Sequence, residues 1–177
     1  MAMDGYAMEI YATHADDETF LLDLLNTTPV VDGVPTDALA DLRAATPWLA
    51  RHGVPATDRE WGRLTEARAA LQAVIRGEAA ATTLQRFVDQ TRLLPTATES
   101  GLRWRLDHGD ASGAARAVIA WDGLRITSPG RLRPCANTEC RLFLIDRSKP
   151  NTARWCSMAI CGNRMKARRH YRRTRAE

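Results

Sequence analysis

The stretch RLRPCANTECRLFLIDRSKPNTARWCSMAICGNRMKARRHYRRTR, residues 131–175, holds all four cysteines of the 177-residue chain, at Cys135, Cys140, Cys156 and Cys161. Two close pairs, each with four intervening residues, are separated by fifteen. That symmetry suits a tetrahedral zinc site of four cysteine thiolates, in which each pair supplies two sulfurs from one turn and the longer loop carries the second pair opposite the first. Two disulfides are the alternative, but they belong to oxidising compartments. The opening MAMDGYAMEIYATHADD shows neither the basic segment nor the sustained apolar run of a secretory signal. No stretch approaches the ~20 apolar residues of a membrane span. The expected location is therefore the cytoplasm, with no membrane partner. Four thiolates also fill the coordination shell, whereas a catalytic zinc keeps an open position, so the one expected Zn2+ is read as structural. Its site carries about two net negative charges, which call for N–H donors and cations such as Arg154, Asn163 or Arg164.

Within this stretch, Cys161-Gly162-Asn163-Arg164, preceded by RPCANTECRLFLIDRSK and RWCSMA, closely resembles the CGNR zinc finger. FLLDLLNT, Phe20 to Thr27, is similar to the Leu-Asp-aromatic-x-Asn-Thr opening of the ABATE domain, with Leu24 in the place of the usual aromatic residue. The resemblance implies an ABATE domain followed by a CGNR finger, an organisation of bacterial stress-induced transcription regulators. By analogy it also implies a treble-clef-like finger. The expected architecture is mainly α, with a small helical domain over 1–129 and a four-cysteine zinc finger over 130–177 made of a short β-hairpin and a basic helix.

Charge divides the same way. Residues 1–129 hold 12 arginines against 18 carboxylates, a net of −6. Residues 130–177 hold 13 lysines and arginines against three carboxylates, a net of +10. Zinc and four thiolates trim the second figure to about +8. An acidic body carrying a basic module points to an anionic polymer as partner, the alternative being a basic face kept for solubility.

Working outward through the body, Thr13 is a candidate cap for a helix with Asp16, Asp17 and Glu18 in its first turn and Phe20, Leu21, Leu24 and Leu25 on its apolar face. His14 sits near that cap. Asp23 and Asn26 flank the face and read either as a small-ligand pocket or, with Thr27, as a buried hydrogen-bonded turn. Asp32-Gly33 turns the PVVDGVP loop. A helix capped by Thr36 is expected over about 37–45, interrupted by Thr46-Pro47, with Trp48 and Leu49 in the core. The clearest helix spans 58–76: Thr57 and Glu60 form a capping box, Trp61, Leu64, Ala67, Ala69, Leu71, Val74 and Ile75 the apolar face, and Gly77 the stop. A helix over about 79–93, ended by Pro95, completes an antiparallel hairpin of helices. Leu102 to Asp107 alternates as a strand, with a turn at His108-Gly109-Asp110. Residues 111–127 fit a helix capped by Asp110 or a hairpin turning at Asp122-Gly123, and the resemblance favours the helix, to about Trp121. Ser128-Pro129-Gly130 is a hinge.

In the finger, Leu142–Ile145 and Arg154-Trp155 read as strands, Asp146–Asn151 as a polar loop, and Ser157 as the cap of a helix whose first turns carry Cys161. Arg164, Arg168, Arg172 and Arg175 follow at helical spacing. Lys166, Arg169 and Arg173 widen the stripe, while Met165 and Tyr171 are expected to face the module. Together with Asn163, these cations form the candidate nucleic-acid surface, since a basic helix neutralises phosphates and fits a DNA major groove. The expected function is a DNA-binding regulator acting on duplex DNA at the nucleoid, its body sensing a small-molecule effector or forming a homodimer. An RNA- or ribosome-associated module, or a redox-sensitive interaction module whose thiolates release zinc, are the alternatives. No nucleotide loop or nucleophile motif is present, and His14, His52, His108 and His170 are scattered, so no catalytic residue is assigned.

Overall fold

Phe20, Leu21, Leu24 and Leu25 recur at helical spacing and are all buried, forming the inner face of α1 (Ala15–Leu25), whose first turn carries Asp16, Asp17 and Glu18. The computed structural model describes residues 15–109 and 112–175; the side chains of Ser112, Arg169, His170, Arg172 and Arg173 lie outside that description. Thr13, His14 and Asp110, expected at caps and turns, also lie outside the described residues.

PVVDGVP closes into a short antiparallel hairpin, β1 (Val30–Val31) with β2 (Val34–Pro35). Asp32 and Gly33 turn it with φ of 50° and 83°, the left-handed pair that matches strand twist. The next helix starts later than expected. Asp41, not Thr36, caps α2 (Leu42–Arg51), accepting the Ala44 N–H at 2.8 Å. Thr46-Pro47 does not interrupt it, because Pro47 lies on the exposed side, where water can serve the carbonyl that a proline leaves without an amide. Trp48 and Leu49 are core residues as expected.

In α3 (Asp58–Arg76), Thr57 Oγ1 accepts the Glu60 N–H at 3.2 Å, the expected cap. Glu60 itself is buried and accepts from Gly113 N at 3.3 Å, so it ties the start of α3 to the start of a later helix, α5 (Ser112–Thr127). Ala69 is exposed rather than on the apolar face, and Arg68 is buried in that row. Gly77 stops α3 in the left-handed conformation, φ 77°.

The helix expected over 79–93 is not formed. A 3₁₀ turn (Ala81–Leu84) and a single turn, α4 (Gln85–Val88), bury Leu84 and Phe87, and the chain then enters β3 (Arg92–Thr98). Pro95 has no amide to give a helix, and an exposed edge strand tolerates it. β3 pairs antiparallel with β4 (Gly101–Asp107), the strand the alternation marked. Leu93, Pro95 and Ala97 face Leu106, Trp104 and Leu102 across this hairpin. α5 then runs through Asp122-Gly123 to Thr127, past the expected end at Trp121. Helix prevails over hairpin because Ala114, Ala117, Val118 and Leu124 are buried at helical spacing against α1 and α3.

The finger begins with β5 (Leu132–Pro134), paired antiparallel with β6 (Phe143–Ile145), Leu132 opposite Ile145. Arg154-Trp155 is not a strand; Arg154 O accepts from Ala136 N at 2.8 Å, fixing the second cysteine pair beside the first. Ser157 caps the following turn through the Ile160 N–H at 3.0 Å. That turn, Met158–Gly162, is wound as a π-helix and leads into α6 (Asn163–Thr174). Phe143 is 1% exposed and belongs to the core of the helical body, with Leu132 and Ile145 packed against it.

Candidate metal centre and basic helix

β5 and β6 hold the first cysteine pair between them: Cys135 N donates to Leu142 O at 2.8 Å, and Cys140 N to Asn137 O at 2.8 Å. The π turn presents the second pair. All four Sγ atoms lie within 4.8 Å of one another. Cys156 Sγ is 3.7 Å from that of Cys140 and 3.6 Å from that of Cys161. Four Zn–S bonds of about 2.3 Å make a tetrahedron with edges of about 3.8 Å, so this donor set fits one zinc ion with no position left open. The four cysteines are free, and their separations exclude disulfides, whose S–S bond is about 2.05 Å.

Burial pushes the Cys140 thiol up to about 11 and that of Cys156 further still. For Cys161 burial acts in the same direction, but hydrogen bonds led by that from Asn137 bring it below its ordinary value. Cys135, Cys140, Cys156 and Cys161 would hold the zinc, whose charge would let all four sulfurs ionise together. The compensating donors differ from those expected. Asn137, 1% exposed, gives its Nδ2–H to Cys161 Sγ at 3.5 Å, and the Cys156 N–H points at Cys135 Sγ at 3.4 Å. Arg154 lies over the Trp155 ring instead, 5.4 Å from its centre, and Asn163 and Arg164 are exposed. The sequence signal for Asn137 was its place two residues after the first ligand, where its Oδ1 takes the Glu139 N–H at 3.3 Å.

Asp146 holds the connecting loop. Only 2% exposed, its carboxylate accepts from Ser148 N at 2.8 Å, Ala153 N at 2.7 Å and Arg133 Nη2 at 3.0 Å. Hydrogen bonds from Ser148 first, then Ala153, hold its carboxyl below the usual range despite burial.

Asn26 is committed to the finger rather than to a ligand. Its Nδ2 donates to Phe143 O at 3.2 Å and its Oδ1 accepts from Phe143 N at 2.7 Å, so one side chain pairs with β6 as a neighbouring strand would. Arg76 adds to this joint, its guanidinium 4.6 Å from the Phe143 ring centre and donating to Arg141 O at 3.1 Å. Arg147 reaches Glu18 at 2.9 Å. Asp23 lies 3.4 Å from His52 Nε2, and His52 packs on Trp48 with ring centres 4.2 Å apart. Thr27 is the buried hydrogen-bonded turn, its hydroxyl donating to Leu24 O at 2.8 Å. A cavity of about 180 Å3 lies elsewhere, where Ile75, Trp121, Leu124 and Arg125 meet the linker at Ser128 and Gly130 and the first finger strand at Leu132. Neither Asp23 nor Asn26 lines it.

The basic stripe divides on folding. Arg168 pairs with Glu139, Nη2 to Oε1 at 2.9 Å and to Oε2 at 2.6 Å, an ion pair that stays in contact with solvent and ties α6 to the loop between the first two cysteines. Asn163, Arg164, Lys166 and Ala167 are exposed on the outside. Tyr171, expected to face the module, is 69% exposed. The side chains of Arg169, Arg172 and Arg173 lie outside the described residues. Among the described residues, no helix is long and apolar enough to cross a membrane.

Two family models match the chain. One, described as "CGNR zinc finger", covers residues 131–174. The other, the ABATE model, described as "Putative stress-induced transcription regulator", covers residues 18–128. No curated protein matches it.

Proposed function

Since the chain belongs to the ABATE family and carries a CGNR zinc finger at its C-terminal side, we propose that it is a transcription regulator that binds duplex DNA through the outer face of α6. The observation that carries this reading is the exposed set Asn163, Arg164 and Lys166, presented by a module of formal net charge +10, about +8 with zinc and four thiolates, beside the four-cysteine site. Zinc contributes rigidity: it fixes the turn from which α6 leaves, so that the cations hold one orientation toward the phosphates. Arg168 serves two ends, bracing α6 against Glu139 and adding charge beside the outer face. The helical body, net −6 over residues 1–129, avoids the polyanion and is assigned to sensing an effector or to dimerisation. The protein acts in this reading at the cytoplasmic nucleoid, without catalysis.

The test is fluorescence anisotropy of the zinc-loaded protein with random duplex DNA across a salt series. Log affinity is expected to fall linearly with log salt, with a slope of about −0.9 per phosphate neutralised. Arg164→Ala is expected to reduce that slope by about 0.9 while zinc content stays constant. Absence of binding at low salt overturns the reading. Exposed Tyr171 also offers a stacking surface to single-stranded bases, so competition by structured RNA decides between the two nucleic acids.

A further inference from the structure

Among the exposed large apolar side chains, two sit where charge is densest. Met158 is 52% exposed and Ile160 56%, both in the π turn that opens the basic helix. The neighbouring Cys161 and Gly162 are buried, so the turn shields the metal site with backbone and sulfur while both of these side chains keep about half of their surface in water. Met158 is held against Gly162, where a Cβ would meet its sulfur at 2.7 Å and the Trp155 ring at 3.4 Å. Gly162 therefore leaves room for the methionine to lie across the turn. Beyond the turn, Asn163, Arg164, Ala167 and Tyr171 follow on α6, the last three at offsets of one, four and eight from Asn163, and each of these residues is exposed. An apolar turn thus leads into a helical face that carries an amide, a cation, a small alanine and an aromatic ring.

That face is not built for phosphates alone. A helix that only neutralises charge has no use for an exposed isoleucine and methionine at its leading end, and exposing them to water is unfavourable. The surrounding cations determine what covers them. Arg154, Arg164 and Lys166 are exposed around the tip, and the zinc-loaded module carries a net of about +8, so the complementary occupant is a polyanion with an apolar interior, which is what the base stack of duplex DNA offers beneath its phosphates. Aliphatic side chains do insert between base steps, unstacking them while flanking cations hold the backbone.

Resting on the proposed DNA-binding reading, we propose that Met158 and Ile160 form an apolar wedge that enters the base stack of duplex DNA, while Asn163, Arg164 and Lys166 anchor it to the flanking backbone. Gly162 and the Ser157 cap fix the wedge's height above the zinc base. Binding therefore distorts the duplex locally and favours flexible pyrimidine–purine steps, which unstack most easily.

The experiment uses the zinc-loaded full chain with duplexes carrying 2-aminopurine at a TA step, reading 2-aminopurine emission for unstacking and anisotropy for binding. The wild type is expected to raise the emission about twofold or more at saturation, as an unstacking wedge does. The Met158→Gln/Ile160→Ser double variant is expected to bind roughly tenfold more weakly, to lose the emission rise, and to keep the wild-type salt slope and zinc content. Arg164→Ala is expected to lower the slope and keep the emission rise. Saturable binding with silent 2-aminopurine, or a double variant that binds as the wild type, overturns the wedge and leaves DNA binding standing. Absence of any anisotropy change overturns both readings together. A wedge effect on single-stranded RNA but not on duplex DNA also overturns this inference in favour of base stacking on RNA.

Discussion

Arg68 shows most clearly how one residue can be read wrongly from its type. On a helix an arginine belongs to the polar face, yet its side chain is only 8% exposed, reaching Asp37 at 2.6 and 2.7 Å and Thr27 Oγ1 at 2.8 Å. The partners lie 31 and 41 residues away, so only the fold brings them together. The Asp37 side chain is one-third exposed, which moderates the pair's worth. Arg68→Met is expected to destabilise the protein by about 1–3 kcal/mol in denaturant titration, mostly by leaving the carboxylate and the Thr27 hydroxyl without their donor. Burial raises the Asp37 pKa, but the hydrogen bond from Arg68, that from the Leu39 N–H and the charge of Arg68 outweigh it and hold the group below its ordinary value. A depressed carboxylate stabilises the fold above its unfolded pKa, near 4, and that stability is lost as pH falls through the folded pKa. The gap between wild type and Arg68→Met is therefore expected to be full at about pH 6 and to shrink below about pH 4. A gap that persists undiminished at the lowest pH at which the protein folds would contradict this account.

At the scale of elements, caps and joints decide more than propensity. Thr36 and Asp41 both precede apolar helical residues, and local pattern favours the first. The structure uses Asp41 because Asp37 is drawn away to Arg68 and Leu39 must enter the core, which delays the helix by several residues. Asp41→Ala is expected to cost about 1 kcal/mol, and Thr36→Ala less than about half of that, by comparison of unfolding midpoints. A second test concerns the joint between α1 and β6. Asn26→Leu removes both hydrogen bonds to Phe143 and leaves its amide and carbonyl unpaired, with an expected loss of about 1–3 kcal/mol. Amide exchange of Phe143 should accelerate in that variant, and unchanged exchange would show that Asn26 is not the clamp. β3 escapes a reading of sequence for a related reason, although its partner β4 does not. Leu93 resembles the end of a helical face, because cross-strand partners such as Leu106 are invisible to local periodicity.

Over the whole molecule, zinc and the hydrophobic core are coupled. Phe143 stands three residues after the ligand Cys140, yet it lies in the same core as Phe20, Leu64 and Leu124. Chelating the metal is therefore expected to do more than melt the finger. It should release β6 from the body and lower the midpoint of the entire unfolding transition, in one cooperative step. Calorimetry with and without chelator checks this, and two separate transitions with an unmoved body would refute it. Zinc uptake should also weaken as pH falls, because protons compete for the same four sulfurs; isothermal titration at two pH values reads the difference.

The metal centre, its cysteine ligands, the boundaries of α3, the acidic opening of α1 and the division of charge between body and finger are all legible in the order of residues. Each of these is local: ligand spacing, a cap three residues from its partner, a row of apolar side chains, a run of arginines. Packing settles which donors face the sulfurs, which side chains of the basic helix stay in solvent, and that the Asn26 amide pairs with the backbone of β6. Those choices depend on groups brought together from distant parts of the chain, such as Arg168 with Glu139 across 29 residues and Asn26 with Phe143 across 117. Side-chain pattern fixes what an element offers, and only packing fixes what it meets.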